Sequence, residues 1–426
     1  MQRVESIMGR VCRQVLVMAV GALLLPGCGW FTRKVNMNTD MPISGDTVAT
    51  MRSVDAAMVD ILETMDIPGA SLTVARDGKI IYQRGFGWAR RETREAVQPE
   101  TLFRIASVSK PMTAVAVLKA FEAELPAALE RPVFGPDGLL TGPRYAQVKD
   151  ARVLKITLRD LLQHTAGWNS DVYEPQYDLA QIAVDLKRPA PASAVDVIEY
   201  MLRVHELQRE PGTQFSYSNF GYNILGRVLE RKTGMPYDEA MRRLVFDPAG
   251  CHSPRIGGDT LAERRPGEVV YYDDPRWPVV PSQAGRGTGT ESYNGFHLAA
   301  MDAHGGWVMS SADMVRFADA VDGRSGVPRL LQPATVALMA TKDPAIPNAN
   351  GGLGWVLDSS GWNHAGALTT GTHSFLERRN DGLTWAVVYN RLPIDPANGL
   401  ASLNETFNTT FKGLRAAILR SQGLAP

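Results

Sequence analysis

The sequence predicts an α/β fold in which both ends of the chain supply strands and a mostly helical segment is inserted between them. Three observations carry this expectation. Apolar strand-like runs flank Asp77-Gly78 near the start and Asn380-Asp381-Gly382 near the end, and both turns have hairpin composition. Between them, apolar residues recur at helical spacing and are interrupted by long loops rich in Pro and Gly. A last helix is expected over 401–419, so helices cover strands at either end of the chain.

Taken in order, the 426-residue chain opens with the basic residues Arg3, Arg10 and Arg13, then an apolar run from Val15 to Leu25. A run of about a dozen residues is too short to span a bilayer, so it reads as an export signal rather than a membrane helix. Leu25-Pro26-Gly27-Cys28 closes the run and resembles the lipobox of bacterial lipoproteins, Pro26 being a departure from the usual pattern. An ordinary signal peptide that ends near a cysteine is the alternative. The resemblance implies a signal peptide over 1–27, lipid on Cys28, and a polar tether over 28–46. Gly29 after the cysteine implies the outer membrane, with the protein facing the periplasm. Of the three cysteines, Cys12 lies in the leader, Cys28 carries the lipid, and Cys251 is left without a partner. The mature fold must therefore rely on its apolar core rather than on a disulfide.

The charges balance at 45 basic and 45 acidic residues. Loss of the leader leaves a small acidic excess and no basic stripe, which argues against nucleic acid as a partner. A membrane, reached through the lipid on Cys28, and a small-molecule or peptidoglycan-derived substrate are the partners expected.

An amphipathic helix is expected from Thr47 to Met65, then strands Ala70–Ala75 and Lys79–Phe86 around the first turn. A helix begins near Ser107. Helical stretches follow at Thr157–Gln163, Ala194–Leu207, Asn219–Lys232 and Tyr237–Leu244. The aromatic loop Tyr271–Pro281 reads equally as the wall of a cleft or as a packed surface loop. Late strands are expected at Leu353–Leu357, His373–Glu377 and Leu383–Tyr389. These elements divide the chain into a sheet domain over 47–106 and 300–420 and a helical domain over 107–299.

Three short motifs carry chemistry: Ser107-Val-Ser-Lys110, Tyr217-Ser-Asn219 and His364-Ala-Gly366. Ser107 has the position of a helix N-cap, which alone would explain it. The same helix, however, sets Ser107 and Lys110 one turn apart on one face. A serine is a poor nucleophile until a base takes its proton, and lysine serves only if its pKa falls well below about 10.4. Ser109 is the competing hydroxyl, without a lysine three residues on. Ser218 or Asn219 suits a helix cap. Alternatively, Tyr217 is a second base that trades protons with Lys110, and Asn219 orients a substrate carbonyl. Tyr217 would need nearby positive charge to lower its pKa of about 10.

With these motifs in view, Phe103-Arg-Ile-Ala-Ser-Val-Ser-Lys110 resembles the nucleophile segment of the serine beta-lactamase and penicillin-recognising superfamily, in its class C-like branch of DD-peptidases and esterases. The stretches from Ile156 to Gly167, Pro211 to Tyr222 and Gly305 to Met314 agree, and the likeness covers about residues 50–415. It implies an antiparallel sheet flanked by helices and a covalent acyl-enzyme on Ser107. Lys110 and Tyr217 would manage the proton, and the N–H groups of Ser107 and Ala367 would form the oxyanion hole. Asn219, His364 and Gly366 would bind substrate, which the branch takes as an ester, a D-amino-acid peptide or a beta-lactam. Lys232-Thr233-Gly234 spells a lactamase triad but follows a helix, where Lys and Gly are ordinary C-terminal signals. It is rejected in favour of His364-Ala365-Gly366.

Histidine in place of the lactamase lysine implies a weaker hold on a beta-lactam carboxylate. His364 on its own would read as a satisfied histidine at a strand end. His164 and His304 read as structural. A DD-peptidase acting on peptidoglycan, and an envelope-binding lipoprotein that has lost turnover, are the rival readings. The sequence has no His-Glu-x-x-His motif or cysteine pair to support a metal, no Gly-x-Ser-x-Gly elbow, and no phosphate loop at Gly285–Gly289, so no cofactor is expected.

Overall fold

The computed structural model describes residues 40–346, 351–368, 371–392 and 403–425. The expected leader, Cys28 and most of the tether lie outside the described residues. Among the described residues, no helix is long and apolar enough to cross a membrane.

One antiparallel sheet dominates. Its strands are β1 (Ile43–Ser44), β2 (Gly69–Arg76), β3 (Lys79–Arg90), the short β4 (Glu95–Ala96), and, from the far end of the chain, β5 (Val356–Asp358), β6 (Gly361–Leu368), β7 (Thr372–Arg379) and β8 (Leu383–Tyr389). The order across the sheet is β1-β3-β2-β8-β7-β6-β5, with β4 paired to β3. The N- and C-terminal hairpins meet where β2 pairs with β8, Leu383 opposite Arg76 and Tyr389 opposite Ala70. Both expected turns are present. Asp77 and Gly78 take φ of 49° and 77°, and Gly382 takes 97°, the left-handed values that tight hairpins need.

Helices α1 (Arg52–Thr64) and α2 (Leu403–Ser421) pack against each other over one face of the sheet. Met58, Leu62, Leu72, Trp385 and Leu414 fill the core between them. The opposite face meets the helix Ser311–Asp322, whose Ser311 hydroxyl lies 2.8 Å from Ser71 Oγ and 2.7 Å from Thr73 Oγ1. That face shares one continuous apolar core with the helical segment, from Val388 and Phe317 through Val115 and Ile224.

Within that segment, the helix Ser109–Ala120 crosses the helix Asn219–Thr233. Ser218 caps the latter by accepting the Gly221 N–H at 3.0 Å, so Asn219 is its first residue and keeps its side chain free for other work. Gly234 closes the same helix at φ 71°, and Lys232 pairs with Glu124 at the surface. The Lys-Thr-Gly triplet is thus a helix end.

Three expectations needed adjustment. The helix after Ser107 begins at Ser109, behind a tight turn over Ala106–Val108. The helix from Tyr237 ends at Met241 and passes into a π-helical turn over Arg242–Phe246. The strand expected over Leu353–Leu357 is confined to Val356–Asp358.

Candidate active site

The site forms where the nucleophile turn meets the sheet. Thr372 Oγ1 donates to the Arg104 carbonyl at 3.0 Å, and Ser374 Oγ donates to the Ile105 carbonyl at 2.6 Å, fastening the segment before Ser107 to β7. Ala106 then takes φ 49°, a left-handed value unusual for a side-chain-bearing residue, and turns the chain so that Ser107 stands ahead of the helix. Ser107 makes no helix-capping bond. Its position therefore is not explained by capping.

Lys110 is fully buried, and its Nζ donates to Ser107 Oγ at 2.9 Å and to the His304 carbonyl at 2.8 Å. Tyr217 brings its hydroxyl into a hydrogen bond with Ser107, and its ring centroid lies 4.9 Å from Lys110 Nζ. Ser109 is buried in the helix with its hydroxyl unpartnered, so the competing nucleophile is out of play.

Gly366 closes the other side. A Cβ at this residue would come 2.5 Å from the Ile105 carbonyl, 2.6 Å from Ser374 Oγ and 2.9 Å from the Ser107 nitrogen. Only glycine lets β6 approach the nucleophile turn this closely. The neighbours Ala365 and Ala367 point to the opposite face and pack against the core under α1 and α2. Strand β5 pairs with β6 only as far as Asn363, so among the described residues the edge of β6 beyond it has no strand partner on that side.

A family model described as beta-lactamase matches residues 54–404. The chain belongs to the beta-lactamase family. Esterase EstB from Burkholderia gladioli is 30% identical over 394 residues, 87% of this chain and 93% of the esterase. Penicillin-binding protein 4 from Amycolatopsis lactamdurans is 30% identical over 317 residues, 71% of each chain. Among solved structures, the D-amino acid amidase from Ochrobactrum anthropi SV3 shares the fold at a TM-score of 0.63 and 21% identity, covering 87% of this chain and 100% of the amidase. A penicillin-binding protein homologue from Pyrococcus abyssi does so at 0.61 and 20%, covering 88% of this chain and 78% of its own. The protein is a serine hydrolase of the beta-lactamase family.

Electrostatics at this beta-lactamase-family site follow from burial. Desolvation holds the Lys110 amine well below the usual lysine range, against the pull of Glu174, and so favours the neutral base. Tyr217 is shifted the opposite way from what a base role would need. Burial and the Glu174 charge push its phenol above the usual value, and the Ser107 hydrogen bond only partly offsets them. Burial thus favours the neutral phenol.

His364 is buried with Nδ1 2.6 Å from the Ala365 carbonyl. Burial and the Lys110 charge push it down to about 3, so it is a neutral imidazole at physiological pH.

Three residues that the sequence left aside belong to the same shell. His164 Nδ1 accepts the Ser218 N–H at 3.0 Å, and its ring stacks on Tyr217 with centroids 4.6 Å apart. His304 supplies the carbonyl that holds Lys110. Burial and Lys110 keep both imidazoles well below the ordinary histidine value. Glu174 accepts from Asn219 Nδ2 at 2.7 Å, which turns the Asn219 amide toward the shell instead of into a cap. His164 lay inside a stretch with family likeness and could have been weighed higher, whereas nothing local in the sequence marked Glu174.

The aromatic loop settles as a packed element at Tyr271. Its hydroxyl accepts the Arg104 N–H at 2.7 Å and donates to Glu268 at 2.7 Å, with the Arg104 guanidinium 4.2 Å over its ring. This tyrosine braces the nucleophile segment from behind.

Proposed function

We propose that Ser107 attacks an ester carbonyl, or in second place the carbonyl of a D-amino-acid peptide, to form an acyl-enzyme that water then releases. The single observation that carries this reading is the 2.9 Å contact between Ser107 Oγ and the amine of a fully buried Lys110. Neutral Lys110 takes the Ser107 proton as the oxygen attacks. The Tyr217 phenol, bonded to Ser107, passes a proton to the leaving group and is restored from Lys110. The N–H groups of Ser107 and Ala367, the latter on β6, would receive the developing oxyanion, and Asn219 would orient the acyl chain.

A small ester ranks first because neutral His364 offers no fixed positive charge to a substrate carboxylate. The likeness to an esterase over 93% of its length supports the same ranking. The penicillin-binding relative supports the peptide as second choice.

The test is intact mass after treatment with a small fluorophosphonate. One adduct is expected on the wild type and none on Ser107→Ala. No adduct on either chain would return the protein to the envelope-binding reading. A long-lived benzylpenicillin adduct on Ser107, with release of terminal D-alanine from a stem peptide, would favour the DD-peptidase.

The setting proposed for this chemistry is the cell envelope, through lipid on Cys28 at the outer membrane. The basic leader, the apolar run and Leu25-Pro26-Gly27-Cys28 support it. Cys28→Ala should move the chain from the membrane pellet to the soluble fraction, and an unchanged distribution would remove the anchor.

A further inference from the structure

Next to His304, whose carbonyl receives Lys110, lies a small cavity lined by Glu174, Gln176, Asn223 and His304 among apolar neighbours. Each of these four side chains is at least nine-tenths buried. Each also leaves one polar atom without a hydrogen-bond partner: Glu174 Oε1, Gln176 Oε1, Asn223 Oδ1 and His304 Nδ1. A buried, unsatisfied polar atom costs roughly 1–3 kcal/mol, so four around one cavity point to a common partner. The space gives a water about 10 Å³ for its centre, room for about one molecule.

A water has two hydrogens to give and two lone pairs to receive. Gln176 and Asn223 can take the hydrogens, while His304 Nδ1–H and a protonated Glu174 can fill the lone pairs. When Glu174 ionises, a third acceptor competes for two hydrogens, so the state of the cavity and the charge of Glu174 are linked.

We propose that this cavity holds one ordered water joining Glu174 to His304, and that Glu174 thereby acts as a positioning residue for Lys110 and Asn219. The proposal rests on the reading of Lys110 as the base for Ser107. Glu174 reaches the site through its other oxygen, which accepts from Asn219 at 2.7 Å. It also reaches the site through its charge, which favours the Lys110 ammonium. The charged and titratable groups that face it are Lys110 from the nucleophile helix, Asp171 from its own loop, Tyr217 from the tyrosine motif and His304 across the cavity. Burial pushes Glu174 up to about 7, against the hydrogen bonds of Asn219 and Ser170 and the charge of Lys110. Its charge therefore changes near neutral pH, where the enzyme would work.

The experiment is the pH dependence of fluorophosphonate labelling at Ser107 in wild type, Glu174→Gln and Glu174→Asp. Glutamine keeps the acceptor for Asn219 but removes the charge that favours the Lys110 ammonium. Lys110 should then lose its proton at lower pH, and the acid limb of the labelling rate should move down by about one pH unit, a tenfold faster rate at a fixed pH on that limb. Aspartate keeps the charge and should leave the limb nearer its wild-type position.

Labelling of Glu174→Gln with an unshifted limb would overturn the positioning role while leaving the nucleophile reading intact. A wild type that does not label would overturn both. The occupant is read from crystals grown with thallium(I). A density peak without anomalous signal, within hydrogen-bond distance of Glu174 and His304, is the expected water. An empty cavity, or a thallium peak marking a monovalent cation, would refute that part. Should Glu174→Gln fail to fold, Asn223→Leu fills the cavity from its far side, and it too should displace the limb.

Discussion

The two sides of Lys110 are built by different physics. Toward Ser107 the site is made mostly of backbone: the Ala106 turn, the Ile105 carbonyl and Gly366 are packed so closely that one carbon added at Gly366 would collide with the Ile105 oxygen, the Ser107 nitrogen and the Ser374 hydroxyl. Away from Ser107 it is made of buried polar side chains: His164 accepts the Ser218 N–H, Glu174 accepts from Asn219, and the His304 ring lies buried beside the carbonyl that receives Lys110. The first side fixes where the nucleophile stands and tolerates no change of shape. The second sets which groups carry charge and should tolerate changes that preserve charge and hydrogen bonding.

Gly366→Ala is the sharpest way to break the shape side. The new methyl cannot be accommodated by a side-chain rotation, because two of its three close contacts are backbone atoms of the nucleophile turn. The turn must shift by a substantial fraction of an ångström, and a misplacement of about 1 Å costs on the order of 100-fold in rate. Fluorophosphonate labelling should slow by about that factor while the fold persists by circular dichroism. A rate within threefold of the wild type would mean that the close approach of β6 has no role in holding Ser107.

The same contrast explains what the sequence could reveal. The sheet was legible because hairpins are local: Asp77-Gly78 and Asn380-Asp381-Gly382 need left-handed backbone, and the alternating runs beside them pair in the register the turns dictate. Ser107 and Lys110 were legible because they are three residues apart on one turn. The cap reading of Ser107 failed because the chain enters the helix through the strained Ala106, which no propensity announces.

The polar side was mostly illegible. Asn219 was named by its motif, but His164, Glu174 and His304 come from separate loops. Their importance arises from burial around one amine, a tertiary property with no local signature. The lowered pKa that a base role would need of Tyr217 is opposed for the same reason: burial pushes the phenol up, and nothing local in the sequence announces that desolvation.

A smaller effect can sharpen the charge side, using two histidines that serve as each other's control. His364 and His373 are both buried in neighbouring strands, and both are pushed down to about 3. Burial pushes His373 down without a contribution from Lys110, whereas His364 also feels the positive charge of Lys110. Lys110→Met removes that charge and leaves the bulk nearly unchanged. Nuclear magnetic resonance titration of the two rings should then show the His364 pKa moving up, with His373 fixed. The sign follows because a cation nearby disfavours protonation of an imidazole, and its removal relieves that penalty. Since the unfolded histidine keeps its ordinary value near 6.5, each buried ring lends stability above that pH which drains away as pH falls toward 3. A raised His364 pKa in Lys110→Met would therefore also soften the acid destabilisation of that variant. If both rings titrate as they do in the wild type, Lys110 is neutral throughout the range, and the polar shell acts on it through hydrogen bonds rather than through charge.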